Sequence, residues 1–269
     1  MTYKAIALDM DGTLLSTKNK LTPRAKDTLI QAQKAGLKVI LASGRPTFGI
    51  METAKTLRLK EFGGLIVAYN GGRVIDLRTD EVIHERNLTL EECHSIYDLS
   101  RIHKVGLMAY DNNNIITEDH DTYIETESKL NNIQINQIPN FKAAVVKGSP
   151  KCMATGTPEH LIKVEQEFTA KIGDCFNLFR SMPYFLDIAP KNVSKATALE
   201  KALKFLNLNA GELVACGDSY NDIEMIKFAG LGIAIGNAID ELKEIADHIT
   251  ATNDENGVAK AVEKFILNA

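Results

Sequence analysis

Four short stretches of the 269-residue chain hold side chains whose types and spacing suit one reaction. Asp9-Met10-Asp11-Gly12-Thr13 places two carboxylates one residue apart. Ser43-Gly44-Arg45 offers a hydroxyl beside an unobstructed backbone N–H. Lys195 brings an ammonium, and Gly217-Asp218-Ser219-Tyr220-Asn221-Asp222 brings two more carboxylates and an amide. In extended backbone, alternate residues face the same way, so Asp9 and Asp11 would project together. Gly12 then lets the chain turn sharply. Four carboxylates gathered in one pocket would repel one another by several kcal/mol, about 4 for a pair 4 Å apart at an effective dielectric near 20. One or more would take up protons. A bound Mg²⁺ resolves the conflict, because it prefers octahedral oxygen ligands and commonly takes one or two carboxylates with waters and a phosphate oxygen. The other groups suit the phosphate itself: the Ser43 hydroxyl, the Gly44 N–H and the Asn221 amide as donors, and Lys195 as a point charge. Of the first pair of aspartates, one can attack phosphorus while the other moves protons.

Taken singly, each stretch has an ordinary explanation. Asp and Gly make turns, Ser-Gly-Arg is an unremarked turn, Gly217–Asp222 reads as a capped helix entrance, and Lys195 as a solvated helix residue. Their order along the chain decides the reading, because each falls at a predicted strand end or beside one. Tyr3–Leu8, Leu37–Ala42, Leu65–Ala68, Leu213–Cys216 and Gly232–Ile235 are short apolar runs suited to strands buried on both faces. Thr22-Pro23 starts a helix that stops at Gly36. Further helices are expected near Thr47–Leu57, from Ser194 to Leu206, and after Asn221, Ile239 and Gly257. Asn70-Gly71-Gly72 marks a hairpin turn before Arg73–Asp76. Strands alternating with helices predict an α/β fold, a doubly wound, parallel, Rossmann-like sheet with right-handed crossovers. In such sheets ligands bind outside the carboxyl ends of the strands, where the four stretches lie.

The middle of the chain has a different rhythm. A helix near Leu90–His103, strands at Val105–Tyr110 and Asn114–Thr117, an Asn- and Gln-rich stretch from Asn131 to Asn140, and a strand-helix-strand segment over Cys152–Leu186 read as an inserted α+β module. The expected division is therefore 1–82 with 188–269 as the core, and 83–187 as the insertion. Composition is that of a globular protein: 45% hydrophobic, 25% charged and a formal charge of −4. That balance gives no general attraction for nucleic acid or anionic lipid. Cys93, Cys152, Cys175 and Cys216 form no C-x-x-C pair, so reduced, buried thiols in a cytoplasmic protein are expected. No run approaches the apolar length of a membrane helix, and Ala5–Leu8 is too short for a signal peptide. The six histidines have no metal-ligand spacing. Phe176, Phe179, Tyr184 and Phe185 are expected to pack the insertion.

Asp9-Met10-Asp11-Gly12-Thr13-Leu14-Leu15, Ser43-Gly44-Arg45, Lys195 and Gly217–Asp222 together resemble the four motifs of the haloacid dehalogenase superfamily. More narrowly, the chain is similar to the Cof-type sugar-phosphate phosphatases, whose large α/β cap is inserted between the second and third motifs. The likeness extends to Asn70-Gly71 and to Gly230–Ala238. It implies a Mg²⁺-dependent phosphomonoester hydrolase acting on a small phosphorylated metabolite such as a sugar phosphate. By this resemblance Asp9 is the nucleophile and Asp11 the general acid and base. Asp9, the Asp11 main-chain carbonyl and Asp218 hold Mg²⁺, with Asp222 in support. Met10 (through its backbone), Ser43, Gly44, Lys195 and Asn221 bind the phosphoryl group, and Arg45 and Asn70 are candidates for substrate contacts. The inserted cap selects the substrate. One departure is Ala196, where many relatives have Gly after the motif-three lysine. A phosphomutase or phosphotransferase would use the same intermediate but pass phosphate to another acceptor. A receiver-like signalling module would also gather Asp, Lys and Mg²⁺, yet it leaves the insertion and Asp11 without a task.

Overall fold

The computed structural model describes residues 2–111 and 114–268. In chain order its strands are β1 (Ala5–Leu8), β2 (Lys38–Ala42), β3 (Leu65–Ala68), β4 (Arg73–Asp76), β5 (Glu81–Glu85), β6 (Gly106–Asp111), β7 (Asn114–Thr117), β8 (Gln134–Gln137), β9 (Cys152–Thr155), β10 (Phe176–Met182), β11 (Phe185–Pro190), β12 (Leu213–Gly217), β13 (Leu231–Ala234) and β14 (His248–Ile249). The chain divides into two compact units: residues 1–46, 50–84 and 194–269 form one, and residues 47–49 and 85–193 the other.

The sheet of the first unit runs β14-β13-β12-β1-β2-β3-β4-β5. All pairs from β14 to β3 are parallel, and β4 returns antiparallel along β3. Every residue of β1 is fully buried, as the unbroken apolar runs of a parallel sheet require. Ala5, Ala7, Ile40 and Leu213 pack against Ala198, Leu199, Ala202 and Leu203 of the Lys195–Leu206 helix and against Met225 and Ile226 of the next helix. The Pro23–Lys34 helix lies against β2 and beside the Gly257–Val262 helix. This is the α/β class with a parallel sheet that the alternating pattern predicted.

Local chemistry sets the helix starts. The Thr22 hydroxyl accepts the Ala25 N–H at 3.2 Å, with Pro23 at the first helical position. Ser194 and Thr197 exchange side-chain-to-backbone hydrogen bonds of 3.3 and 3.1 Å. That reciprocal cap begins the helix at Lys195.

The second unit has a sheet ordered β10-β11-β9-β6-β7-β8, antiparallel except where β7 meets β8. Cys93, Ile96 and Leu99 from the Leu90–Ile102 helix, and Leu161, Val164 and Phe168 from the Pro158–Ile172 helix, pack with Leu107, Cys152, Ala154, Leu186 and Ile188. The Asn- and Gln-rich stretch holds β8, which its composition does not announce. Phe176 and Phe185 are buried, Phe179 and Tyr184 partly so. Cys93, Cys152 and Cys216 are buried as expected, whereas Cys175 is exposed, because it falls in the turn between the Pro158–Ile172 helix and β10. No helix among the described residues is long and apolar enough to cross a membrane.

Candidate active site

β1 lies between β2 and β12, parallel to both. The segments that follow these three strands, Asp9–Thr13, Ser43–Arg45 and Asp218–Asp222, therefore leave the sheet at adjacent carboxyl ends. Lys195 enters from its capped helix. Its side chain is fully buried, with Nζ 2.5 Å from Asp9 Oδ1 and 2.6 Å from Asp222 Oδ1. The other Asp222 oxygen accepts the N–H groups of Asp218 and Ser219 at 3.0 and 3.1 Å. Asp222 thus fixes both the lysine and the loop that presents Asp218. Thr13 Oγ1 donates to Asp218 Oδ1 at 2.6 Å and orients that carboxylate.

The electrostatics follow from burial. Desolvation pushes the Asp9 carboxyl well above its ordinary range, with Asp222 and Asp218 adding to the rise and Lys195 opposing it. Burial likewise pushes Asp218 up to about 6, against the hydrogen bond from Thr13. Burial alone would push the Lys195 ammonium down, but Asp222 and Asp9 together raise it above the usual lysine range. Carboxylate oxygens of Asp9, Asp218 and Asp222 lie within 4.8 Å of one another. Asp9 and Asp218 are thereby biased toward their protonated forms, a bias that a cation at the cluster would remove. An all-oxygen donor set of this kind fits Mg²⁺.

Asp11 is the exception to the expected cluster of four. Its half-exposed side chain turns to Arg45, whose Nη2 and Nε meet its two oxygens at 2.5 and 2.7 Å. Arg45 Nη2 also donates to Asn19 Oδ1 at 2.9 Å. Two effects explain the departure: a guanidinium fork holds a carboxylate bidentately, and the chain leaves its extended path at Gly12, φ +82°. The buried cluster therefore has three carboxylates, with the fourth beside it in an ion pair.

The expected phosphate donors are also brought together. Ser43 is 1% exposed, and its hydroxyl accepts the Arg45 N–H at 3.1 Å. Gly44 lies against the Asn70 amide: a Cβ on Gly44 would come within 3.1 Å of its nitrogen and oxygen. Asn221 Nδ2 donates to Asn70 Oδ1 at 2.9 Å. Met10 is buried in the turn after β1. Both substrate-contact candidates, Arg45 and Asn70, thus hold other site residues. Arg180, an exposed cation, pairs with Glu165 at 2.7 Å.

Three residues here carry roles that spacing did not disclose. Thr13 stands inside the first motif but shows its use only once Asp218 arrives. Asn19 braces Arg45. Asn237 donates to the Gly12 carbonyl at 2.8 Å and accepts the Asn253 N–H at 3.0 Å, strapping the turn after β1. Its signal was positional, since it follows shortly after β13.

A family model described as haloacid dehalogenase-like hydrolase matches residues 6–262. The chain belongs to the haloacid dehalogenase-like hydrolases. A solved haloacid dehalogenase-like hydrolase from Bacteroides thetaiotaomicron superposes with a TM-score of 0.94 at 41% identity, over 98% of this chain and 100% of that one. The sugar phosphatase BT4131, described as haloacid dehalogenase subclass IIB, superposes with a TM-score of 0.82 at 25% identity, over 97% and 98% of the two chains. The 5-amino-6-(5-phospho-D-ribitylamino)uracil phosphatase YcsE of Bacillus subtilis (strain 168) is 30% identical over 267 residues, 98% of this chain and 96% of the relative. The resemblance drawn from the four motifs thus holds along the whole chain, and the protein is an enzyme of the phosphatase kind within this family.

Proposed function

We propose that the enzyme is a Mg²⁺-dependent phosphomonoesterase that hydrolyses a small phosphorylated metabolite, such as a sugar phosphate, through an aspartyl phosphate on Asp9. The observation that carries this reading is the buried ammonium of Lys195 seated between Asp9 and Asp222, with Asp218 beside them. A lysine so placed holds Asp9 in one orientation and offsets negative charge where a phosphoryl group would arrive. The sugar-phosphate class draws support from BT4131, a sugar phosphatase, and the wider small-metabolite class from YcsE, which acts on a phosphoribityl compound. The inserted unit is proposed to set the choice of leaving group, and the protein to work in the cytoplasm.

In the first half-reaction an Asp9 oxygen bonds to phosphorus as the ester P–O bond breaks, and Asp11 gives its proton to the departing alkoxide. In the second, Asp11 takes a proton from water. The resulting hydroxide attacks phosphorus, the Asp9–phosphorus bond breaks and inorganic phosphate leaves. The Arg45 fork holds the Asp11 side chain in one orientation for these proton transfers. Ser43, Gly44 and Asn221 would donate to the phosphoryl oxygens throughout. Asp9, Asp218 and the Asp11 carbonyl would hold Mg²⁺, with Asp222 in support. The chemistry Mg²⁺ supplies when bound is neutralisation of carboxylate and phosphoryl charge.

A panel of phosphate esters incubated with Mg²⁺, scored by release of inorganic phosphate, tests the reading. Repeated turnover on sugar phosphates, abolished by chelator and restored by Mg²⁺, is the expected result. Full activity in chelator would remove the metal from the mechanism, and transfer of phosphate to a second sugar without its release would replace hydrolysis with group transfer.

A further inference from the structure

The loop between β3 and β4 has a backbone that needs explaining. Tyr69, Asn70 and Gly71 are consecutive residues at positive φ, 54°, 55° and 113°. Glycine tolerates this and asparagine carries it more readily than most side chains, but a bulky aromatic such as tyrosine does so rarely. Two non-glycine residues in succession are held left-handed only where the surroundings over-determine them.

Those surroundings are three of the four site segments. The Tyr69 N–H donates to the Arg45 carbonyl at 3.0 Å and the Asn70 N–H to the Ser43 carbonyl at 2.9 Å, so the turn is strapped to the loop after β2. Gly71 abuts the residue that caps the Lys195 helix, since a Cβ there would lie 2.2 Å from the Ser194 carbonyl oxygen. The Asn70 side chain lies over Gly44 and accepts from Asn221 Nδ2 at 2.9 Å, a contact spanning 151 residues of sequence. One strained turn therefore touches the segments of Ser43-Gly44-Arg45, Ser194-Lys195 and Asn221.

We propose that Asn70 is a positioning residue whose amide fixes Asn221 against Gly44, so that their donors meet a phosphoryl group in a set geometry. The proposal rests on reading Asn221 and Gly44 as phosphoryl donors. Asn70 need not touch substrate itself. Without its acceptor, the exposed Asn221 side chain has no fixed partner and must be ordered anew at each binding event.

The test compares Asn70→Gly, Asn221→Ala and the double variant in the full-length enzyme with Mg²⁺. Glycine suits the left-handed backbone and removes only the amide, so it separates the side chain from the turn. The readouts are kcat and KM for p-nitrophenyl phosphate, the inhibition constant of inorganic phosphate, and the thermal midpoint. Asn70→Gly is expected to lose about tenfold in kcat/KM, the scale of one hydrogen bond. It should weaken phosphate inhibition in proportion and keep or raise the thermal midpoint. In the Asn221→Ala background the same change should cost less than about twofold, because its target is gone. An equal loss in both backgrounds, or none in either, overturns the proposal. If Asn221→Ala itself leaves kcat/KM and phosphate inhibition unchanged, the donor reading of Asn221 falls and the proposal with it. A loss in Asn221→Ala with none in Asn70→Gly sinks Asn70 alone.

Discussion

Lys195 and Asp9 bury opposite charges at one point, and their substitutions should behave in opposite ways. Lys195→Met leaves Asp9 and Asp222 buried without their ammonium, and breaking a buried pair from one side costs about 3–5 kcal/mol. A clear fall in thermal midpoint is expected, along with loss of activity. Asp9→Asn removes a carboxyl that burial already holds above its ordinary range, while keeping an oxygen that can accept from Lys195. Its turnover should fall by several orders of magnitude with the metal-free thermal midpoint unchanged or raised. A folded Asp9→Asn enzyme retaining a large part of its turnover would refute Asp9 as nucleophile. Asp11 has a different signature because it lies outside the buried cluster. If Asp11 is the proposed acid and base, Asp11→Asn should lose proton transfer, usually about 10²–10⁴-fold in rate, but keep the main-chain carbonyl. An aryl phosphate releases its phenol without much acid help, so only attack by water should stay slow. Rapid-quench kinetics should show a burst of phenol near one equivalent per active site, and intact mass should show a phosphoryl group on the protein. Absence of both in a folded variant would take the base role from Asp11.

At the scale of elements, what positions the site is the junction of strand and turn. Gly12 has φ +82°, and a Cβ there would lie 2.4 Å from Asp218 Oδ2. Gly12→Ala should therefore keep the fold, displace Asp218, and lower Mg²⁺ affinity and kcat together; calorimetric titration of Mg²⁺ beside steady-state kinetics checks this, and an unchanged affinity would count against Asp218 as a ligand. The elements themselves were largely legible. β3 and β7 fall where their apolar runs predict, and Thr22-Pro23 and Ser194 start helices because cap chemistry is local in sequence. The convergence of strand-end motifs followed from a general property of parallel sheets. What local reading could not supply were pairings set by tertiary distance. Nothing near Asp11 says that Arg45, 34 residues on, will draw it out of the cluster. Nothing near Thr13 points to Asp218, 205 residues away. β8 was hidden because Asn and Gln disfavour strands, and it forms through its pairing with β7.

For the molecule as a whole, the first unit's fold gathers the acid cluster, and the proposed cation would offset its charge. Lys195 meets Asp9 across 186 residues, and Asp218 meets Thr13 across 205. The acid cluster therefore exists only when that unit is folded, and any ion it binds stabilises the folded form by mass action. The sign with pH can be worked out from Asp218, whose carboxyl titrates near 3.8 ordinarily and at about 6 when folded. Between those values the folded chain holds more protons than the unfolded one, so this group lowers metal-free stability as pH rises through the window. With Asp218 as a proposed ligand, protons and Mg²⁺ would compete for the same oxygens. The rise in thermal midpoint on adding a fixed Mg²⁺ concentration should thus be small at about pH 5 and larger at about pH 7.5. All the proposed ligands belong to the first unit. If unfolding resolves into two transitions, as chains of two compact units can show, only the one belonging to that unit should move. Scanning calorimetry at both pH values, with and without Mg²⁺, checks both points. A shift independent of pH would separate ion binding from Asp218. Equal movement of two resolved transitions would mean that the second unit also takes up the ion.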